Sequence, residues 1–242
     1  MKQHMSAYTA QDQLVWKTLF ERQFTNLQGK VSDAYLTALQ QMNSVMHAHK
    51  IPDFMEIDEW FSSHTGWKME VVPGLIPVDE FFRLLAEKRF CSSTWLRSME
   101  QLDYLEEPDM FHDTFGHVPL LANAVFSDFM QTFGELGCQV MNEPEKLASL
   151  QRLYWFTIEF GMIAGTQPLI YGAGIISSFG ETNRAVSNAV EHKPFVLKEV
   201  LEMPFRTDVV QEHYVCIPHF EHLFESIQQL TEQWTTTAVT GN

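Results

Sequence analysis

Basic residues are scarce in this chain of 242 amino acids. Its 16 lysines and arginines stand against 31 aspartates and glutamates, and the formal net charge at pH 7 is −15. A surface of that sign repels the phosphates of nucleic acids and of anionic lipid headgroups. The composition therefore argues against nucleic acid and membrane partners.

Cysteines and long apolar runs are also rare. The three cysteines, Cys91, Cys138 and Cys216, are far apart and form no C-x-x-C pair, which disfavours a disulfide framework and a thiolate zinc site. We expect all three to be reduced thiols in the core. The N-terminus lacks the apolar segment of a secretory signal, and no stretch reaches the roughly 18 uncharged apolar residues of a membrane span. These absences predict a cytoplasmic protein.

Linker-like composition is missing too, because no repeat, low-complexity run or Gly/Ser/Pro-rich stretch divides the sequence. We therefore expect one domain over residues 1–242. Hydrophobic residues are abundant at 45%, and the chain contains 19 phenylalanines and 6 tryptophans. This content predicts a globular interior and suits an apolar pocket.

Apolar periodicity predicts a mainly α fold with a few short β-strands. Ser32 is a candidate helix N-cap, and Pro144 is suited to a first helical turn. The polar end, residues 235–242, is expected to fray. Helices are predicted over residues 12–27, 32–47, 78–88, 124–141, 145–164 and 219–234, and strands or extended segments over 67–72 and 206–217.

Two histidines, His112 and His117, lie five positions apart in an apolar segment. On an ideal helix that separation points them about 140° apart, unlike the i, i+4 pair of a zinc protease. A shared metal then requires the helix to break between them. We expect Pro108 at the first position of a short helix, Asp109 in its first turn, and Gly116 at the break, so that His117 turns back towards His112.

Glu159 is the only charged residue between Leu153 and Gly165. A buried unpaired carboxylate costs several kcal/mol, so this residue calls for a nearby cation. Two imidazoles and one carboxylate are the ligands of a mononuclear non-haem iron(II) site, which leaves positions open for oxygen. A zinc-dependent hydrolase and a non-enzymatic helical binding module stay open as alternatives. His219 and His222 form a weaker candidate pair for a second metal.

Three segments carry a family resemblance. P-D-M-F-H-D-T-F-G-H-V-P-L-L (108–121), Y-W-F-T-I-E-F-G (154–161) and Y-G-A-G-I-I-S-S-F-G-E (171–181) together resemble the pterin-dependent aromatic amino acid hydroxylases. The resemblance runs from about residue 65 to about residue 224. Residues 1–60 carry no matched motif and are expected to form a helical N-terminal part. The resemblance implies a single compact catalytic domain of this family.

The resemblance also implies the cofactors and the residues that contact them. Fe(II) would be held by His112, His117 and Glu159, with tetrahydrobiopterin or a related tetrahydropterin as cofactor and O₂ as co-substrate. Arg97 would hold the substrate carboxylate, and Ser177 would orient a ligating histidine. The residues implied for the amino acid substrate are Arg97, Tyr104, Pro108, Trp155, Phe160, Gly174 and Ser177. Those implied for the pterin are Gly74, Ile76, Phe81 and Asp113, with Phe81 stacking on the pterin ring.

The implied reaction is hydroxylation of an aromatic amino acid ring. Trp155 stands where tryptophan hydroxylases usually carry phenylalanine, which argues against tryptophan. No aspartate of the kind found in tyrosine hydroxylases lies near Cys216. We therefore expect conversion of L-phenylalanine to L-tyrosine, with tyrosine or tryptophan hydroxylation as the alternative, by a monomer or small homo-oligomer.

Overall fold

The computed structural model describes residues 1–103, 107–207 and 209–239, and in these ranges helices dominate. The α-helices are α1 (Ala10–Leu27), α2 (Asp33–Gln41), α3 (Phe54–Ser62), α4 (Val78–Ala86), α5 (Ala124–Gln139), α6 (Pro144–Tyr154), α7 (Ala173–Ile176), α8 (Phe179–Ala185), α9 (Leu197–Glu202) and α10 (Phe220–Val239). Short 3₁₀ helices cover Met5–Ala7, Met99–Gln101 and Val118–Ala122. Two π-helices cover His112–His117 and Trp155–Glu159.

The described ranges contain six short strands beside these helices, which confirms the prediction of a mainly α fold with a few short β-strands. They are β1 (Lys68–Val71), β2 (Arg89–Ser92), β3 (Gly161–Ile163), β4 (Leu169–Ile170), β5 (Glu191–Pro194) and β6 (His213–Ile217). β1 and β2 pair in parallel. The other sheet has the order β4-β3-β6-β5, in which β3 and β4 are antiparallel and the remaining pairs are parallel.

Side chains at the helix starts explain where several helices begin. The Ser32 hydroxyl accepts from the Tyr35 N–H, and Pro144 lies in the first turn of α6, as the sequence predicts. Thr9 and Asp12 form a reciprocal capping box at the start of α1.

The predicted helix over residues 145–164 ends early. Helical geometry stops at Glu159, and Gly161–Ile163 forms β3 beside β6. A Cβ on Gly161 would lie 2.2 Å from the Tyr171 hydroxyl, so this close approach requires glycine. The predicted helix over 32–47 also ends early, because α2 stops at Gln41. Within 206–217, predicted as strand or extended segment, β6 occupies His213–Ile217. At the other end of the chain, α10 includes residues 235–239 of the segment expected to fray.

One continuous hydrophobic cluster runs from α1 to α10, so the chain forms a single compact domain. Its largest fully buried side chains include Trp16, Trp67 and Tyr35. No helix in the described part of the chain is long and apolar enough to cross a bilayer.

The three cysteines are free thiols, but they do not share the predicted core position. Cys216 is buried, Cys91 is half-buried, and Cys138 is exposed. The core prediction is therefore wrong for Cys138 and holds fully only for Cys216.

Gly137 allows α5 to pack closely on α4. A Cβ at this position would lie 2.0 Å from Cδ1 of Phe82, so Gly137→Ala is expected to lower the free energy of unfolding by about 1–3 kcal/mol. Urea titration measures the change. Gly180→Ala in α8 is the control, because no heavy atom lies within 4 Å of its added Cβ, and it should be neutral or stabilising. Equal losses in both variants would contradict the packing explanation.

Candidate metal centre

The segment that carries His112 and His117 is a continuous helix with a widened turn. The carboxylate of Asp109 accepts from the His112 N–H at 3.1 Å, as an N-cap does, and the chain then winds into a π-helix over His112–His117. Because π-helical hydrogen bonds join residues five apart, this turn brings both imidazoles to one side. Their Nε2 atoms lie 3.2 Å apart.

This geometry corrects two predictions. Gly116 does not break the helix: it lies within the π-helix, and its φ is not positive. Its small size matters instead, since a Cβ there would lie 3.0 Å from the backbone oxygen of Ala173 in α7. Asp109 rather than Pro108 determines the helix start, so Pro108 does not occupy the first helical position. The predicted convergence of the histidines thus arises from a wide turn and not from a helix end.

The second π-helix, directly after α6, ends at the third candidate ligand. Glu159 Oε1 lies 3.1 Å from His117 Nε2, and Oε2 lies 3.7 Å from His112 Nε2. One ligand atom from each of the three residues can be chosen so that all lie within 4.8 Å of one another. Among the described residues this is the only such group of three. His219 is exposed on the surface, and neither it nor His222 belongs to any such group.

The hydrogen bonds of Ser177 fix the proton on His112. The Ser177 hydroxyl donates to the Ala173 carbonyl at 2.8 Å, so its oxygen accepts from His112 Nδ1 at 2.9 Å. With the proton on Nδ1, Nε2 directs a lone pair towards His117 and Glu159. A ligand imidazole held by such a partner is typical of metal sites.

The pKa values of two of the three candidate ligands, His112 and Glu159, indicate their charge states at pH 7. Burial lowers the pKa of His112 to about 4, which keeps this imidazole neutral at pH 7. Burial also raises the pKa of the Glu159 carboxyl, but His117 and His112 more than offset this and hold it at about 2. A neutral imidazole and an ionised carboxylate directed at one point fit a divalent cation, and the three residues fit iron(II) with open positions.

A cleft of about 390 Å³ opens onto this cluster. All four residues expected to contact the pterin line it, as do Pro108 and Trp155 from the predicted substrate set. The pterin set comprises Gly74, Ile76, Phe81 and Asp113. Burial raises the pKa of Asp113 to about 7, and its carboxylate accepts from the Ser93 N–H at 3.0 Å. The cleft therefore combines apolar walls with a few polar groups, as small-molecule sites do.

Of the remaining predicted substrate residues, those that the structure describes are not among the residues that line the cleft: Arg97, Phe160, Gly174 and Ser177. Phe160 packs on Trp155 with ring centroids 4.6 Å apart. A Cβ on Gly174 would lie 2.9 Å from Cζ of Phe160 and 3.2 Å from Oε2 of Glu159. Glycine at this position therefore allows α7 to pack close to the Glu159 carboxylate. Ser177 reaches the cluster through His112. Tyr104 lies outside the described residues.

Arg97 forms a buried, bidentate pair with Asp109. Nε and Nη2 each donate to the Asp109 carboxylate at 2.8 Å, and the two side chains are 7% and 0% exposed. Burial raises the pKa of Asp109, but the hydrogen bond and charge of Arg97 outweigh this and hold it below its usual value. The pair leaves Nη1 for another partner.

Sequence reasoning missed several residues that shape this site. Cys91, Tyr154 and Phe205 line the cleft. Tyr35, from the N-terminal part without a matched motif, donates its hydroxyl to the Phe115 carbonyl at 2.6 Å, inside the π-helix. No sequence signal marks it, because a buried tyrosine on a helix is ordinary core. Tyr154 is the first residue of the motif Y-W-F-T-I-E-F-G (154–161), so the sequence did contain a signal for it.

Tyr35→Phe is expected to loosen the turn that carries the candidate metal ligands His112 and His117. The variant leaves the buried Phe115 carbonyl without this donor, which should lower the free energy of unfolding by about 1–3 kcal/mol and weaken iron retention. Thermal unfolding and iron content after dialysis against a chelator measure both effects. Tyr171→Phe is a matched control, since its buried hydroxyl has no hydrogen-bond partner among the described residues. If both variants retain iron like the wild type, the role of Tyr35 is refuted.

Known proteins resemble the chain over nearly its whole length. A family model described as biopterin-dependent aromatic amino acid hydroxylase matches residues 3–238. Phenylalanine-4-hydroxylase of Ralstonia nicotianae is 42% identical over 228 residues, which are 93% of this chain and 72% of that protein. The enzyme of the same name from Chromobacterium violaceum is 41% identical over 230 residues, covering 93% and 76%. The match thus includes the first sixty residues, where the sequence showed no motif.

A solved structure supports the same comparison. The crystal structure of Chromobacterium violaceum phenylalanine hydroxylase with bound iron(III) and oxidised cofactor 7,8-dihydrobiopterin has a TM-score of 0.90 and 40% identity. The match covers 98% of this chain and 86% of that one.

Proposed function

Because the chain belongs to the biopterin-dependent aromatic amino acid hydroxylases, we propose that it is a monooxygenase that hydroxylates L-phenylalanine to L-tyrosine. The cofactors are a non-haem Fe(II) and a tetrahydropterin, with O₂ as co-substrate. The observation that supports this most directly is the convergence of His112, His117 and Glu159 beside an aromatic-lined cleft. A cytoplasmic location and a monomeric or small homo-oligomeric state stay predictions.

The chain's own residues bind and orient the reactants in this proposal. Iron(II), which His112, His117 and Glu159 would hold, would together with the tetrahydropterin activate O₂, and O₂ would be the source of the oxygen atom inserted into the ring. Arg97 binds the substrate carboxylate through Nη1, since Asp109 already engages Nε and Nη2. Trp155 and Pro108 form the wall against which the substrate ring lies, and Phe160 supports Trp155 from behind.

The pterin occupies the other wall of the same cleft. Phe81 stacks on the pterin ring and is itself held edge-on by Tyr154, with centroids 5.3 Å apart. Gly74 and Ile76 border the ring, and the Asp113 carboxyl faces its polar edge. Two ring-shaped molecules held in one apolar cleft exclude water and place the substrate beside the metal ligands, which is the main catalytic contribution of the protein.

Product analysis tests the proposal. The protein is incubated with ferrous iron, tetrahydrobiopterin, ¹⁸O₂ and each of phenylalanine, tyrosine and tryptophan in turn. We expect ¹⁸O-labelled tyrosine from phenylalanine, and little product from the other two amino acids. Preferential hydroxylation of tyrosine or tryptophan would change the substrate assignment. If iron-loaded protein yields no hydroxylated amino acid, or if zinc supports a hydrolytic activity instead, the proposed function is wrong.

A further inference from the structure

The indole of Trp155 is held by a residue outside the cleft wall. Its Nε1–H donates to Oε1 of Gln211 at 3.1 Å. An indole nitrogen can only donate, so this bond fixes which end of the Gln211 amide faces Trp155. The amide nitrogen then donates to the backbone oxygens of Val209, at 3.2 Å, and Arg206, at 3.4 Å.

Gln211 is itself fixed from the side of α8. It is 8% exposed, its N–H donates to Oε1 of Glu181 at 3.4 Å, and its carbonyl accepts from Nε of Arg184 at 2.8 Å. The Tyr214 hydroxyl donates to the same Glu181 oxygen at 2.6 Å. Because both its backbone and its amide are held, Gln211 presents Oε1 at a defined place.

The rings around Trp155 complete the arrangement. Phe205 stacks on the indole at 4.9 Å with planes 26° apart, and Phe160 contacts it at 4.6 Å. Stacking favours offset rings over a broad range of positions, whereas a hydrogen bond to one edge of the indole is directional and restrains its side-chain torsions. The bond from Gln211 thus adds a directional restraint on how far the indole extends into the cleft.

We propose that Gln211 is a positioning residue that sets the preference for phenylalanine over tryptophan by holding the Trp155 indole in the substrate wall. The inference rests on the proposed function. Without the acceptor, the half-buried indole N–H loses its partner and the indole leaves its fixed position. The ring pocket then admits the larger indole of tryptophan and holds the phenylalanine ring less well.

A double-mutant cycle tests this on the iron-loaded protein. Gln211→Leu, Trp155→Phe and the double variant are compared by the ratio of kcat/KM for phenylalanine to that for tryptophan. We expect Gln211→Leu to lower this ratio about fivefold, the worth of one hydrogen bond, mainly through a higher KM for phenylalanine. In the Trp155→Phe background, which has no indole N–H, the same change should alter the ratio less than about twofold.

Two further variants separate positioning from general damage. Gln131→Leu removes an amide that donates to the Ala86 carbonyl away from the cleft, and it should leave the ratio unchanged. If Gln211→Leu fails to fold, Gln211→Met is used in its place, because it keeps the side-chain length. An unchanged ratio in the Gln211 variants, or an equal loss in the Trp155→Phe background, overturns the proposal, because simple destabilisation lowers both kcat/KM values together.

Hydrogen exchange of the indole N–H provides a readout independent of activity. In protein labelled with ¹⁵N-tryptophan, the Trp155 resonance is identified by its loss in Trp155→Phe. Its exchange should be at least about fivefold faster in Gln211→Leu. An unchanged exchange rate would overturn the positioning role. Absence of hydroxylation by the wild type would instead refute the proposed function, and the exchange rates would still decide whether Gln211 holds the indole.

Discussion

Glu159→Ala is expected to abolish both iron retention and tyrosine formation. The variant removes one of three candidate ligands and the only carboxylate of the cluster, so two imidazoles remain to hold a divalent cation. The negative charge that offsets the metal charge in a buried site is lost at the same time. Iron content after gel filtration and tyrosine yield with saturating phenylalanine and tetrahydrobiopterin measure the two losses.

Two controls make this result specific. Glu159→Gln keeps the shape of the side chain but removes its charge, and it should also lose most of the iron if the carboxylate is the ligand. Glu135→Ala removes an exposed glutamate of α5 and should behave as the wild type. Full iron content and turnover in Glu159→Ala, with circular dichroism unchanged, would refute the metal assignment.

The candidate metal ligands were predictable from the sequence, but their geometry was not. Glu159 was evident because a lone charge in an apolar run needs a partner. The π-helix between His112 and His117 had no local signal, since a wide turn is stabilised by contacts from elsewhere in the chain. Tyr35 satisfies the Phe115 carbonyl, and Ala173 packs against Gly116. A helix break at Gly116 was the simplest local solution, and long-range packing replaced it.

The same limit applies to the fold. Periodicity and capping residues such as Ser32 predicted most helices, because those signals act within one or two turns. The end of the helix at Glu159 depends on pairing between β3 and β6, which are far apart in the chain. The register of this strand pairing, in which Met162 lies opposite Cys216, cannot be recognised from the sequence of either segment alone.

The segment 171–181 connects the parts of the site. Its Ser177 orients His112, and its Gly174 leaves room for the Glu159 carboxylate. Its Glu181 accepts from the Gln211 N–H, and Gln211 in turn accepts from Trp155. One short stretch thus contacts the candidate metal ligands at one end and is connected to the proposed substrate wall, through Gln211, at the other. Under the proposed positioning role of Gln211, a change far from the cleft is therefore expected to alter substrate choice.

Arg97→Ala is expected to reduce both stability and substrate binding strongly. The variant leaves the Asp109 carboxylate, which is 0% exposed, without its cation. Breaking a buried ion pair in this way costs about 3–5 kcal/mol, and in a chain of this length that lowers Tm by roughly 6–20 °C. The proposed carboxylate-binding group is lost as well, so the KM for phenylalanine should rise beyond the range that can be saturated. Calorimetry and initial rates measure the two effects.

Arg97→Ala combined with Asp109→Asn separates these two roles. The asparagine side chain keeps an oxygen that can accept from the His112 N–H, but it removes the unpaired buried charge, so the double variant should regain part of the lost Tm. It cannot regain a cation for the substrate carboxylate, and its KM for phenylalanine should stay as high as that of Arg97→Ala. Recovery of a normal KM together with Tm would show that Arg97 acts only through Asp109, and that the carboxylate is bound by another residue.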